Sequence, residues 1–447
     1  MDVASTINKY YQWLDDKTPL INTYANHLIV IFAFSVPVLT EVRRTSLVLL
    51  ILLFLIRGRM LQRIREALRD PVVLAFTLYF LVHVVWMAGT DDFEWLGEVI
   101  HDASFLLIPL LFSTFIDRRY TSRIVAAFFA GMLVSVLISF GIFLEWLPAM
   151  MHNGNQGDWK DPTPFYHHTH YGYMLALTSV ILLTKFITAD EQDGRKAVWV
   201  LLMVLAAANV FIIAGRAGFV LLVILVPALY LMVYKKKALP PLMIMAAVIS
   251  VATAIAYHKS PTFSLRVDTT IESVEKIIHE RDYYSSLGGR AAMSLIAIDM
   301  AANNWIFGVG TGDHTGQMHE TIKRDYSEIV FLARGLAHPH NEYLNALLQF
   351  GIIGLLVFLN IPLQLLRYKN ENRNDALMFR LIGISIIFYV LQDILVIDLG
   401  MLFTVVVLVS ANLREYPVSD TKYVDFNLRQ AVGYMLVMLV FYLLKQI

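Results

Sequence analysis

Residues 217–234 read AGFVLLVILVPALYLMVY, a run of 18 residues without a charged side chain. As a helix rising 1.5 Å per residue, such a run spans about 27 Å, close to the ~30 Å hydrocarbon core of a bilayer. Similar runs recur along the 447-residue chain, which is 57% hydrophobic and 16% charged. Soluble proteins carry about 25% charged residues. The sequence therefore predicts an all-α polytopic membrane protein.

Twelve transmembrane helices are predicted. Their approximate ranges are 22–40, 44–56, 71–89, 99–116, 123–147, 171–189, 197–214, 217–234, 239–257, 341–366, 376–396 and 399–413. A further apolar stretch, 428–445, is either a thirteenth span or a helix at the membrane interface. We expect three regions: transmembrane residues 1–257, a polar loop over 258–340, and C-terminal transmembrane residues 341–447. The first 19 residues contain three Asp and do not resemble a cleavable signal peptide, so we expect the first span to direct insertion.

The distribution of Lys and Arg predicts the orientation. With the N-terminus inside, six inner connections contain 21 Lys and Arg residues, whereas three short outer connections contain three. The inner connections are 57–70, 117–123, 185–196, 235–237, 367–380 and 414–429, and the outer ones are 41–44, 90–98 and 148–170. This asymmetry follows the positive-inside rule. It places the loop 258–340 outside, as one large periplasmic loop that contains two predicted helices, 264–280 and 290–302.

Composition excludes several kinds of function. The formal net charge is zero, so no global field indicates a nucleic-acid partner. The chain has no cysteine, which excludes disulfides, thiol chemistry and cysteine-based metal sites. Ten of the 13 His residues fall in two predicted outer segments, 148–170 and 258–340. This clustering marks the outer face as the one equipped for chemistry.

The motif His338-Pro339-His340-Asn341-Glu342-Tyr343-Leu344 lies where the polar loop meets an apolar helix. Imidazoles titrate near neutral pH, and a positioned general base contributes about 10²–10⁴ in rate. Side chains at i and i+2 do not share a helix face, so we expect only one of His338 and His340 to act as the base. Asn341 is expected to cap the helix and Glu342 to orient an imidazole. The alternative is an ordinary surface turn.

Two arginines lie in glycine-containing motifs, Gly215-Arg216-Ala217-Gly218 and Gly288-Gly289-Arg290. Each is expected to open a helix on the outer side. A guanidinium binds phosphate oxygens through two parallel hydrogen bonds that a lysine cannot copy, and a helix N-terminus adds free N–H groups. Arg216 and Arg290 together predict a metal-free diphosphate clamp. The alternatives are an Arg216 that reaches lipid headgroups and an Arg290 that is an ordinary loop residue.

Three further groups carry weaker signals. His167, His168 and His170 precede or open the sixth span; a metal site, glycan binding and an interfacial aromatic belt are all open interpretations. The pair Asp91-Asp92 has the form of a metal-binding acidic pair, but adjacent Asp residues also occur by chance. Asp393 and Asp398 are candidates to pair with one of the arginines. No metal and no cofactor are predicted.

Taken together, these motifs resemble the O-antigen ligase and polymerase superfamily of bacterial envelope glycan enzymes. The specific part is the His-Asn-x-x-Leu motif followed by Gly351-Ile352-Ile353-Gly354, supported by the run from Asn303 to Gly312 and by the two arginine motifs. The resemblance covers most of the chain. It implies a GT-C-like membrane fold with a periplasmic active site in the bacterial inner membrane.

The resemblance also implies a reaction, which is metal-independent, inverting glycosyl transfer. The donor would be a glycan on undecaprenyl diphosphate, and the acceptor a sugar hydroxyl of lipid A–core. Arg216 and Arg290 would hold the donor diphosphate, and His338 or His340 would deprotonate the acceptor. Possible acceptor- or glycan-binding groups are His167, His168, His170, Asn341 and Glu342.

Three alternatives to a ligase stay open. An O-antigen polymerase and a pilin-type O-oligosaccharyltransferase differ from it mainly in the acceptor, and we expect no sizeable soluble domain of the kind that would favour a protein acceptor. A transporter of polyprenyl-linked glycans would also bind diphosphate through arginines. A transporter needs ionisable groups through the bilayer, however, and His83 is nearly the only such group at mid-span. That favours an enzyme.

Overall fold

A computed structural model describes residues 3–91, 93–148, 150–152, 155–157, 159–188, 196–259, 261–326, 338–370 and 372–413. Within these ranges the chain forms seventeen α-helices and one antiparallel hairpin of strands β1 (Met150–His152) and β2 (Asn155–Gly157). The helices are α1 (Val3–Ser35), α2 (Thr40–Arg57), α3 (Met60–Ala67), α4 (Pro71–Val85), α5 (Phe93–Ser104), α6 (Ile108–Ser113), α7 (Arg118–Phe143), α8 (His168–Thr188), α9 (Lys196–Ile212), α10 (Ala217–Tyr234), α11 (Leu239–Lys259), α12 (Pro261–Glu275), α13 (Ser286–Asn304), α14 (Asp313–Asp325), α15 (Glu342–Arg367), α16 (Arg373–Tyr389) and α17 (Leu399–Ala411).

Each of the twelve predicted spans falls on one or more of these helices. Among the described residues, six helices are long and apolar enough to cross a membrane, or seven if α3 and α4, which are bent by 111°, form one span. The helices α9 and α17 are apolar but shorter. The chain is therefore a polytopic helical membrane protein. The count of twelve spans stays a prediction, and the stretch 428–445 lies outside the described residues.

Helix α8 is the centre of the main core. In the most apolar 18-residue stretch of α8, 72% of the residues are buried. The helix packs against α9, α10, α16 and α17. On the other side of the core, α15 packs against α4 and α16. The corresponding apolar stretch of α11 is 0% buried, so this helix lies on the outside of the bundle.

The polar loop folds into helices of its own. The predicted helix 264–280 corresponds to α12 and a π-helical turn, Lys276–Glu280, and the predicted helix 290–302 corresponds to α13. Apolar side chains of α13 and α14 form a second, smaller core that includes Leu348 of α15. The loop thereby packs on the first half of α15.

Helix α15 is interrupted at Gly351, where φ is 64° and ψ is −161°. In a continuous helix the N–H of Ile352 would bond to the carbonyl of Leu348. Here it donates to Trp305, at 2.8 Å, and the carbonyl of Leu348 accepts from Val309, also at 2.8 Å. The loop therefore supplies the hydrogen bonds that the interruption removes, as a buried backbone requires.

The same turn is joined to α4. The indole of Trp86 donates to the carbonyl of Phe307 at 2.6 Å, and the hydroxyl of Thr311 donates to the carbonyl of His83 at 2.6 Å. The glycine-rich run from Asn303 to Gly312, which the sequence associates with the family, thus fastens the polar loop to two helices of the bundle.

We expect Gly351→Ala to destabilise the fold. Its backbone angles are accessible essentially to glycine alone, and a Cβ would overlap the carbonyl of Ile306. A cost of about 1–3 kcal/mol from the backbone alone should lower the melting temperature of the detergent-solubilised protein.

The matched control is Gly97→Ala. Gly97 lies inside α5, and a Cβ there meets nothing within 4 Å. Alanine is favoured over glycine in a helix by roughly 0.5–1 kcal/mol, so this variant should melt at or above the wild-type temperature. Equal melting temperatures for the two variants would contradict the structural role of Gly351.

Candidate functional site

Several helix ends meet at one end of the bundle. The starts of α8 and α10 pack against each other there, and the start of α8 and the segment that opens α15 both contact the loop 390–398, which connects α16 to α17. The N–H of Glu342, the first residue of α15, donates to the carbonyl of Val390 at 2.9 Å. Helix α13 contributes its first turns from the polar loop. Five elements that are distant in sequence therefore surround one position.

Arg216 lies in the turn between α9 and α10, directly before Ala217. A Cβ on Gly215 would lie 2.5 Å from the carbonyl oxygen of His168, and one on Gly218 would lie 2.6 Å from that of Gly172. The two glycines therefore allow the turn to pack directly on the backbone of α8. This close packing places Arg216 beside the start of α8.

Asp161 holds this turn in place, and no sequence pattern singles this residue out. One carboxylate oxygen accepts from the N–H of Ala214 at 2.9 Å, and the other lies 2.8 Å from Nδ1 of His168. The carboxylate thus links the segment before α8 to the residues that precede Arg216. An isolated Asp in a polar connection looks like any solvated residue, so only the fold identifies it.

Arg290 does not open its helix. Helix α13 begins at Ser286, and Ser285 caps it by accepting from the N–H of Gly288 at 2.9 Å. Arg290 lies one turn further in, half-buried, because the capping serine rather than the Gly-Gly pair starts the helix. The expectation that this helix N-terminus lies directly at Arg290 was therefore wrong.

The charge of Arg290 acts on groups from four other elements. Partial burial and then the charge of Arg290 lower the pKa of Arg216. The same guanidinium interacts electrostatically with Asp393 and with three imidazoles, those of His167, His338 and His340. Two guanidinium groups that repel each other at one position form a place where an anion is favoured.

His338 and His340 adjoin each other, with ring centroids 4.2 Å apart. The N–H of His340 donates to Nδ1 of His338 at 3.3 Å. His340 has a φ of 49°, a left-handed conformation that is uncommon for residues other than glycine and that persists only where surrounding contacts hold it. Asn341 caps α15 as predicted, since its side chain accepts from the N–H of Leu344 at 3.1 Å.

Both imidazoles are neutral at neutral pH. Burial, and then the charge of Arg290, lower the pKa of His338 to about 4. Burial, followed by the neighbouring His338, Arg290 and His167, lowers the pKa of His340 to about 3. A neutral imidazole can accept a proton, as a general base must.

Glu342 does not orient an imidazole. It is 0% exposed, and its carboxylate accepts from the hydroxyl of Tyr79 and, at 2.9 Å, from the N–H of Leu395. It joins α15 to α4 and to the loop 390–398, because a buried carboxylate must be satisfied by donors. The prediction for Glu342 was wrong in this respect, and the carboxylate that faces His340 is that of Asp393.

The three histidines at the start of α8 have different partners. Nδ1 of His167 lies 3.1 Å from the hydroxyl of Thr169, His168 contacts Asp161, and His170 lies between Asp393 and Asp398. They are therefore not three ligands of one metal. Among the described residues, a different group could hold a cation: ligand atoms of His170, Asp393 and Asp398 all lie within 4.8 Å of one another.

Asp91, the first residue of the acidic pair Asp91-Asp92, lies near the start of α14. Asp91 is exposed, and its N–H donates to the carboxylate of Asp313 at 3.3 Å. Asp92 lies outside the described residues. Asp91 therefore adjoins the glycine-rich turn and α14.

Comparison with known families identifies the region that contains most of this site. Residues 201–359 match the family model described as O-antigen ligase. The matched region includes Arg216, Arg290, His338 and His340, and also the interruption of α15. A search of curated proteins found no significant match. Over residues 201–359 the chain is therefore similar to the O-antigen ligase family.

Proposed function

We propose that this protein is an O-antigen ligase, which transfers a glycan from undecaprenyl diphosphate to a sugar hydroxyl of lipid A–core. The family supports a glycosyltransferase-type enzyme of glycan processing that takes a lipid-linked donor. The observation that carries the proposal is that Arg290 interacts electrostatically with Arg216, His338 and His340, so that groups from three separate segments of the chain act at one end of the bundle. They provide the cations and the base that the reaction requires.

The proposed reaction is a single displacement. The acceptor hydroxyl oxygen attacks the anomeric carbon of the donor sugar, the bond from that carbon to the phosphate oxygen breaks, and the configuration inverts. The hydroxyl proton passes to an imidazole, and the bonding electron pair leaves with undecaprenyl diphosphate. Arg216 and Arg290 stabilise the negative charge that develops on this leaving group. Because the two guanidinium groups supply the positive charge, we propose that transfer requires no metal ion.

His340 is the better candidate for the base. The lone pair on Nδ1 of His338 is occupied by the N–H of His340, so a neutral His338 has its proton on Nε2 and cannot accept there. Nδ1 of His340 faces the carboxylate of Asp393 at 4.0 Å. A proton on Nδ1 of His340 leaves its Nε2 free to accept the hydroxyl proton.

The location of the reaction follows from the predicted topology. Orientation by the positive-inside rule places the site on the periplasmic face of the inner membrane, with segment 258–340 outside. A transporter is less well supported. His83, the ionisable group at mid-span, is 0% exposed and enclosed by the rings of Tyr79 and Phe350, with centroids 4.8 and 4.7 Å away. This imidazole is therefore packed against aromatic side chains in the interior of the protein.

Reconstitution with two competing acceptors tests the proposed function. The purified protein in vesicles receives a defined undecaprenyl-diphosphate glycan together with lipid A–core and free donor glycan, and the products are resolved by mass spectrometry. We expect transfer to lipid A–core, at the same rate with and without EDTA. Extension of the donor glycan instead would indicate a polymerase, and transport without transfer would contradict an enzyme.

We expect Arg216→Lys to fail as Arg216→Ala does. A lysine keeps the charge but loses the paired hydrogen bonds to phosphate oxygens, so each variant should reduce kcat by about 10²–10³. The matched control is Arg324→Lys on the exposed face of α14, which should transfer at the wild-type rate. Wild-type transfer by Arg216→Lys would contradict the diphosphate clamp.

We expect His340→Ala to reduce the rate by about 10²–10⁴, and His338→Ala to have a smaller effect. The exposed His279→Ala is the control. Because the pKa values of both motif imidazoles lie far below neutrality, the wild-type rate should not fall between pH ~8 and ~7. Wild-type activity in His340→Ala would remove the assignment of the base.

A further inference from the structure

The loop 390–398 holds a carboxylate between two imidazoles. Oδ1 of Asp393 lies 4.0 Å from Nδ1 of His340, and Oδ2 lies 4.0 Å from Nε2 of His170. Asp393 is 7% exposed. A side chain this buried keeps its place only if its charge and lone pairs are matched by neighbours.

The far side of His170 is held by a second carboxylate. Nδ1 of His170 lies 3.3 Å from Oδ1 of Asp398, which is 0% exposed. Asp398 in turn accepts from the hydroxyl of Tyr389 at 2.5 Å and from the N–H of Met401 at 2.8 Å, where it caps α17. A chain of alternating carboxylates and imidazoles therefore leads from the interior of the bundle to His340.

His340 is faced by charged or titratable groups from four elements. His338 lies on its own segment, Arg290 on α13, His167 before α8 and Asp393 in the loop 390–398. Of these, Asp393 supplies the negative charge, and it does so on the Nδ1 side. Nδ1 of His340 is buried and has no hydrogen-bond partner within the described ranges.

We propose that Asp393 is a positioning residue whose carboxylate accepts a hydrogen bond from the Nδ1–H of His340 and thereby directs the basic Nε2 towards the acceptor hydroxyl. The proposal rests on the proposed function. During transfer the hydroxyl proton binds to Nε2, the proton on Nδ1 stays in place, and the ionised carboxylate stabilises the imidazolium. The 4.0 Å separation is about 1 Å longer than a hydrogen bond, and such contacts in unliganded sites often shorten when substrate binds.

The first test is Asp393→Asn in the full-length protein in vesicles. An amide of the same shape removes the charge and no longer selects the tautomer, so kcat should fall by about 10²-fold while KM for the donor stays within about twofold. Asp393→Glu, which keeps the charge, should recover part of the rate. Asp91→Asn, an exposed carboxylate outside this chain of groups, should match the wild type.

The tautomer can be observed directly, whether or not the variants fold. Histidine labelled with ¹⁵N in the wild-type protein, compared with His340→Gln, identifies the signals of this imidazole. A proton on Nδ1 is expected, and a proton on Nε2 alone would overturn the proposal.

Two results distinguish this inference from the proposed function. A fully active Asp393→Asn together with an inactive His340→Ala would overturn the role of Asp393 alone. An active His340→Ala would remove the base itself. If EDTA abolishes wild-type transfer and Mn²⁺ restores it, the metal-independent reaction is contradicted, and the positioning role that rests on it is overturned as well.

Discussion

The interruption of α15 at Gly351 is the feature on which the rest of the site depends. Backbone groups buried in a membrane protein must be satisfied within the protein, and here the turn around Val309 supplies the missing hydrogen bonds. This exchange fastens the polar loop to the helix that begins next to His340. Since the loop also carries Arg290, the same hydrogen bonds set the position of a cation relative to an imidazole.

The site places two positively charged guanidinium groups near two imidazoles, and like charges at one position repel each other. Arg216 and Arg290 repel each other, while His338 and His340 are kept neutral by burial and by the arginine charge. A bound diphosphate would relieve the repulsion between the guanidinium groups. The arrangement therefore favours an anionic ligand and leaves the imidazoles unprotonated, which is the state that a base requires before it reacts.

The short glycine motifs act mainly through packing. Gly215 and Gly218 let the turn of Arg216 lie against the backbone of α8, and Gly351 accommodates a backbone conformation that other residues avoid. They bring helix ends close enough for side chains on separate helices to meet. Asp161 and Glu342 also hold separate segments together, in their case through hydrogen bonds. Some of the polar side chains at this end of the bundle therefore have a structural role.

The sequence alone determined the helical membrane character, the presence of helices at the twelve predicted apolar ranges, the cap at Asn341 and the candidates Arg216, Arg290, His338 and His340. These follow from local properties, namely apolar run length, capping chemistry and residue type. Only the tertiary structure decided that Asp393 rather than Glu342 faces His340, that Ser285 begins α13 before Arg290, and that Asp161 holds the turn of Arg216. Such pairs include residues about fifty positions apart in the sequence. The packing of the helix ends determines which residues pair, and no local sequence pattern contains that information.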